Sequence, residues 1–204
     1  MAYALAVFVS FEGIDGSGKS THAALLAEAL RAENREVVAT REPGGTEAGE
    51  RIRDLLLGGT EISPWAEAAL FAAARAQLVE QVIRPALDQG VVVVCDRFVD
   101  SSLAYQGIAR NLGLDAVLEL NRIATSGALP DQTFLLVLPV EEALRRLHGK
   151  RDRIEREGRA FLERVADAYL RLAEVFPERI VTVDATLPKT QVADQVRGEL
   201  RALA

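Results

Sequence analysis

Gly13 to Ser20 reads GIDGSGKS and fits the pattern G-x-x-x-x-G-K-[ST]. Its setting gives the match its weight. Just before it, Leu5 to Phe11 is an apolar run of strand character; just after it, Lys19 to about Ala32 carries a helical pattern. A strand, a glycine loop and a helix N-terminus together make an anion cradle, with backbone N–H groups curled around phosphate oxygens and the helix dipole behind them. On this reading Gly13, Ile14, Asp15, Gly16, Ser17 and Gly18 form the cradle for a nucleoside triphosphate. Lys19, a surface residue of that cradle, bridges the β- and γ-phosphates, and the Ser20 hydroxyl ligates Mg²⁺. Thr21 sits in the first helical turn and closes the ATP-binding stretch, while His22 reads as surface. The plain alternative is a glycine-rich turn with a surface lysine.

Outward from this loop the chain alternates. Glu36 to Thr40, Val91 to Cys95, Thr133 to Leu138 and Ile180 to Val183 read as further strands, and their near-continuous apolar character predicts cover on both faces, as in parallel sheets. A long helical stretch runs from about Pro64 to Gln89, with a kink expected before Pro85 because its ring cannot continue the hydrogen-bond ladder. Another carries Leu114, Val117 and Leu118 on one face, and a last one carries Leu162, Val165, Tyr169 and Leu172. The fold class is therefore α/β, an open sheet wrapped by helices that binds ligands at the carboxyl ends of its strands.

The 204 residues suit one domain spanning 1–204 with a small mobile insert. A net charge of −6 argues against a general nucleic-acid or membrane binder, so any anion site must be a local cluster of Arg and Lys. Cys95 is the only cysteine and reads as a buried inert thiol; with two separated histidines it gives no zinc set. No apolar run reaches membrane-spanning length and no targeting stretch opens the chain, so a cytoplasmic location is expected.

A phosphate cradle leaves three classes open: a kinase of a small acceptor, a GTPase switch, and a module that holds nucleotide without acting on it. No Asn-Lys-x-Asp or Thr-Lys-x-Asp stretch exists to read guanine, which disfavours the switch. An acceptor site is then sought after the other strands. Asp96 ends an apolar strand, the position from which Mg²⁺ is reached, and Arg97 beside it suits a phosphate; the pair also fits a strand-end salt bridge. After the second strand come Arg41, Glu42, Pro43, Gly44, Gly45 and Thr46, then Arg53. Phe71 and Arg75 share a helix face and could stack a base and bond its carbonyl, or be a core residue beside a surface one. His148 to Arg159, HGKRDRIEREGR, has no apolar face and reads as a solvated loop or as a flap.

The stretches FEGIDGSGKST, TREPGGT, FAAARAQ, DRFVDSSLAYQG and DRIE, in this order, resemble bacterial thymidylate kinases over essentially the whole chain. The resemblance implies a five-stranded parallel sheet with helices on both faces, a basic LID at about 148–159, a homodimer packed through long helices, and transfer of the ATP γ-phosphate to dTMP on the way to dTTP. It further implies that Phe71 stacks thymine and Arg75 bonds its carbonyl. Ser102 and Gln106 would read the base edge, and Arg53 and Arg97 would grip the acceptor phosphate. Asp15 would hold the sugar 3′-hydroxyl, and Tyr105 would crowd the 2′ position; Glu42 belongs with this dTMP set. Phe98 departs from the Tyr or His often found after Asp-Arg. Because the cradle lacks a basic residue between Gly13 and Lys19, Arg153, with Arg151, is expected to bring the missing charge to the transferring phosphate. Another nucleoside-monophosphate kinase, with a different base in the acceptor site, is the second reading.

Overall fold

The computed structural model describes residues 6–147, 149 and 152–203. The chain runs β1 (Phe8–Glu12), α1 (Lys19–Ala32), β2 (Val37–Arg41), α2 (Glu47–Leu57) and α3 (Pro64–Leu78), which passes through a π-helical turn, Val79–Ile83, into α4 (Arg84–Asp88). Then come β3 (Val92–Asp96), the short α5 (Val99–Ser102), a second π-helical segment, Leu103–Ala109, and α6 (Leu114–Ala124). The chain ends with β4 (Gln132–Val137), α7 (Val140–Arg146), α8 (Arg159–Val175), β5 (Ile180–Asp184) and α9 (Lys189–Leu203).

The five strands form one parallel sheet in the order β2-β3-β1-β4-β5. All five residues of β1 are buried. Neighbouring strand residues point to opposite faces, so such a run requires cover on both. The edge strands β2 and β5 are partly exposed. Phe8 packs edge-on against Phe98 at 4.9 Å, and Phe11 lies 5.4 Å from Phe134, so aromatic pairs join the sheet to the segment after β3 and β1 to β4. The helix is interrupted before Pro85 by a π-helical turn. A wider turn at Val79–Ile83 carries the helix onward, with Pro85 in the first turn of α4. There its missing N–H costs least.

Since β1 lies between β3 and β4, the loops after β1, β2 and β3 all open at one end of the sheet. That end holds the glycine loop, Glu42 to Thr46 and Arg97. Among the described residues no helix is long and apolar enough to cross a membrane.

Candidate active site

A continuous cavity of about 720 Å³ crosses the carboxyl end of the sheet. The glycine loop forms its floor. A Cβ on Gly13 would stand 2.6 Å from the Leu136 carbonyl oxygen of β4, and one on Gly16 would strike the Ala143 carbonyl of α7. The loop is thus seated on backbone at both points, and only glycine permits that approach. Lys19 is buried rather than a surface residue: its ammonium donates to the Ile14 carbonyl at 2.9 Å and lies 3.6 Å from Asp15. Burial, with the nearby charge of Arg97, pulls its pKa down to about 8. His22 is likewise buried, where a surface position was expected, and its Nδ1 has no hydrogen-bond partner.

Ser20 donates to Asp96 Oδ2, and Asp96 Oδ1 is buried without a partner. Hydroxyl and carboxylate form a hard-oxygen pair that suits Mg²⁺, which draws its other ligands from phosphate and water. Among the described residues no cluster of three or more His, Cys, Asp or Glu could hold a metal.

Arg97 lies at the centre. Its backbone is left-handed (φ 70°), a conformation a non-glycine residue holds only at a cost of roughly 1–3 kcal/mol. What holds it is a set of bonds to the Gly13 carbonyl (3.1 Å), Ser101 Oγ (3.1 Å), Tyr169 (3.2 Å) and Asp15. Beneath it buried Glu12 accepts from the Phe98 and Ser101 amides, the Ser101 hydroxyl and Tyr169. Burial and the charge of Asp100 raise the pKa of Glu12, opposed by Arg97. Burial also pushes on Asp15, but Arg97 and Lys19 overcome it and hold the carboxyl down at about 2. Asp15 is therefore a fixed anion bound by two cations, suited to positioning and unsuited to act as a base. Tyr105 stacks under Arg97 at 5.4 Å with its hydroxyl 3.5 Å from Asp15 Oδ2.

Arg53 lines the cavity and donates to the Pro43 carbonyl at 2.8 Å. Half-buried Phe71, Ser102 and Gln106 line the same end. Arg75 is not the surface residue of the plain alternative: it is 1% exposed. Its guanidinium makes four hydrogen bonds, to Glu42 (2.8 Å), Ser102 (3.1 Å), Asn121 and the Phe98 carbonyl (3.1 Å), and its Nη2 also lies 2.6 Å from Glu42 Oε2 as an ion pair. Burial raises Glu42 to about pH 7 against the pull of Arg75, and its Oε1 is buried unpaired.

The opposite end of the cavity was not legible in the sequence. Arg146 of α7, Leu147, Ala185, Leu187 and Lys189 line it beside Gly18, Thr21 and His22. Arg146 is held by Glu142 (2.5 Å) and the Ala185 carbonyl (3.1 Å). A basic residue in the last turn of a helix is too common to stand out, and only the register of β4 beside β5 brings it to Leu187.

Arg153 does not line the cavity. Its Nε donates to the Leu56 carbonyl (2.8 Å) and its Nη2 to Glu67 (2.5 Å), while neighbours Asp152, Ile154 and Glu155 face the cavity. Arg151 lies outside the described residues.

Comparisons with known proteins agree with this layout. A family model described as thymidylate kinase matches residues 11–196. The chain is 49% identical to the thymidylate kinase of Thermosipho melanesiensis, covering 94% of this chain and 96% of that one. It is also 49% identical to that of Bordetella petrii, covering 97% and 96%. The crystal structure of thymidylate kinase from Ehrlichia chaffeensis superposes with a TM-score of 0.79 at 34% identity, covering 96% of this chain and 99% of that one. With the glycine loop, the Asp-Arg strand end and Phe71 joined in one cavity, the chain belongs to the thymidylate kinase family.

Proposed function

We propose that the cavity seats two nucleotides end to end, ATP over the glycine loop and dTMP against Phe71, and that the chain moves the ATP γ-phosphate to dTMP, giving dTDP and ADP. One observation carries this reading: Asp15 joins the two ends, bound by Lys19 on the donor side and Arg97 on the acceptor side.

The adenine nucleotide lies between Arg146, Leu187 and Lys189, with its phosphates in the amides of Asp15 to Ser20. Mg²⁺ would be held by Ser20 and Asp96 and, when bound, neutralises charge on the donor phosphates. At the other end Arg53 and Arg97 hold the acceptor phosphate, Phe71 stacks the base, Ser102 and Gln106 meet its edge, and Tyr105 fills the space a 2′-hydroxyl would need. An acceptor phosphate oxygen attacks the γ-phosphorus in line as the bond to the β-phosphate oxygen breaks. That oxygen is already anionic at neutral pH, so no base is required, and the chain supplies position and countercharge. Arg97 and Lys19 serve both anions at once. The LID, about 148–159 within one domain of 1–204, closes over the phosphates and keeps water out. We further read the enzyme as a homodimer of the cytoplasm.

The test is ADP release with Mg-ATP and each nucleoside monophosphate in turn. dTMP should give the highest kcat/KM, with dUMP modestly lower, because an apolar niche for one methyl group discriminates by ~1–3 kcal/mol. A clear preference for another base would favour the second reading.

A further inference from the structure

Glu67 of α3 is 1% exposed and stands behind the acceptor end of the cavity rather than on its wall. Three side chains converge on it. Arg110 donates at 2.6 and 3.1 Å, Arg153 at 2.5 Å and the Gln106 amide nitrogen at 2.8 Å. Burial pushes the carboxyl up, but the bonds from Arg110, Gln106 and Arg153 outweigh it and hold its pKa below the ordinary value. An ionised carboxylate only accepts hydrogen bonds, so Gln106 can meet it only with its NH₂. The other end of that amide, a carbonyl oxygen, is then directed away from Glu67. Gln106 lines the cavity beside Phe71 and Ser102, and among the described residues its side chain bonds to Glu67 alone. A base stacked on Phe71 therefore meets an acceptor there.

We propose that Glu67 is a positioning residue that sets the hydrogen-bond polarity of the acceptor pocket: by holding the Gln106 amide it presents a carbonyl oxygen, which favours bases with a ring N–H on that edge and disfavours those with a bare ring nitrogen. Thymine and uracil carry that N–H; cytosine does not. The proposal rests on the acceptor reading above and supplies its selectivity. It also links selectivity to the LID, because Arg153 grips the same carboxylate and Arg110 reaches both Glu67 (2.6 Å) and Glu157 (2.8 Å).

Glu67→Gln keeps the shape but lets either end of Gln106 face the cavity. The ratio of kcat/KM for dTMP over dCMP should fall about tenfold or more, the scale of one misplaced buried hydrogen bond. Glu67→Asp, still acceptor-only, should retain a higher ratio than Glu67→Gln. A loss of melting temperature with an unchanged ratio would mean Glu67 is structural only, and would overturn the proposal. The parent enzyme supplies an independent check that needs no variant to fold: dTMP methylated at N3 should be a poor acceptor. If it is used as well as dTMP, the carbonyl is not read and the proposal fails. A parent inactive on dTMP would instead overturn the acceptor reading itself, and the proposal with it.

Discussion

Lys19 and Arg75 illustrate how far single residues can be read from the chain. The motif identified Lys19 and its role, but not its burial, which changes what its removal should do. A buried ammonium whose pKa has fallen to about 8 is held at a cost to the fold. Lys19→Met should abolish turnover without lowering the melting temperature, and thermal denaturation alongside steady-state rates checks both. A pH dependence follows. Below pH 8 the free protein already carries the charge; above it, phosphate binding must take up a proton. ATP affinity should thus weaken by about tenfold per pH unit above 8, until the pKa of the bound state is reached. Calorimetric titration from pH 7 to 9.5 measures it. On the stability side the sign is opposite: the unfolded chain binds a proton the folded chain has lost, so this group's contribution to stability rises with pH between about 8 and 10.5. Phe71→Ala should weaken dTMP binding by ~1–3 kcal/mol and ATP binding by less. Equal losses, or a fall in melting temperature with dTMP affinity intact, would make Phe71 a packing residue. Helix spacing pairs Arg75 with Phe71, but its partners Glu42 and Asn121 lie 33 and 46 residues away. Spacing along one helix cannot reveal such partners.

At the scale of elements, β1 to β5, α1 and α8 were legible because buried parallel strands and amphipathic helices carry strong periodic signals. α2, α7 and α9 were not, being short or rich in charge, and the donor-end residues on α7 and α9 went with them. The glycine loop rests on the Ala143 carbonyl, so α7 is the wall against which a donor base would lie. Arg146→Ala should raise the KM for ATP about tenfold, as for a lost hydrogen bond to a charged group, and leave the KM for dTMP nearly unchanged. For the LID, an arginine that neutralised the transferring phosphate would be worth ~10³–10⁵ in rate. Arg153 is instead tied to Leu56 and Glu67. Arg153→Ala should therefore keep kcat within about a hundredfold of the parent while limited proteolysis at 148–159 speeds up. A larger loss of kcat with unchanged proteolysis would return Arg153 to the phosphate.

For the whole molecule, exposed apolar side chains indicate where a second copy could pack. Ile123 on α6 is 70% exposed, and α6 lies against α3. If the proposed homodimer packs there, Ile123→Glu should convert a species of two chains into one of single-chain mass by sedimentation, with the circular dichroism unchanged; a persisting dimer would move the interface elsewhere. Cys95 offers a different use of the fold. It is the only sulfhydryl, it is 0% exposed, and it donates to the Arg97 carbonyl at 3.0 Å. Burial and surrounding carboxylates raise its pKa well above the usual thiol value. A maleimide therefore has nothing to modify until the sheet itself comes apart, and the rate of alkylation times global opening. The same silence in the folded state leaves the protein blank for spectroscopic labels. A cysteine introduced at 148–159 would carry the only reactive thiol, so a fluorophore placed there would report whether the proposed LID closes, with no background from the rest of the chain.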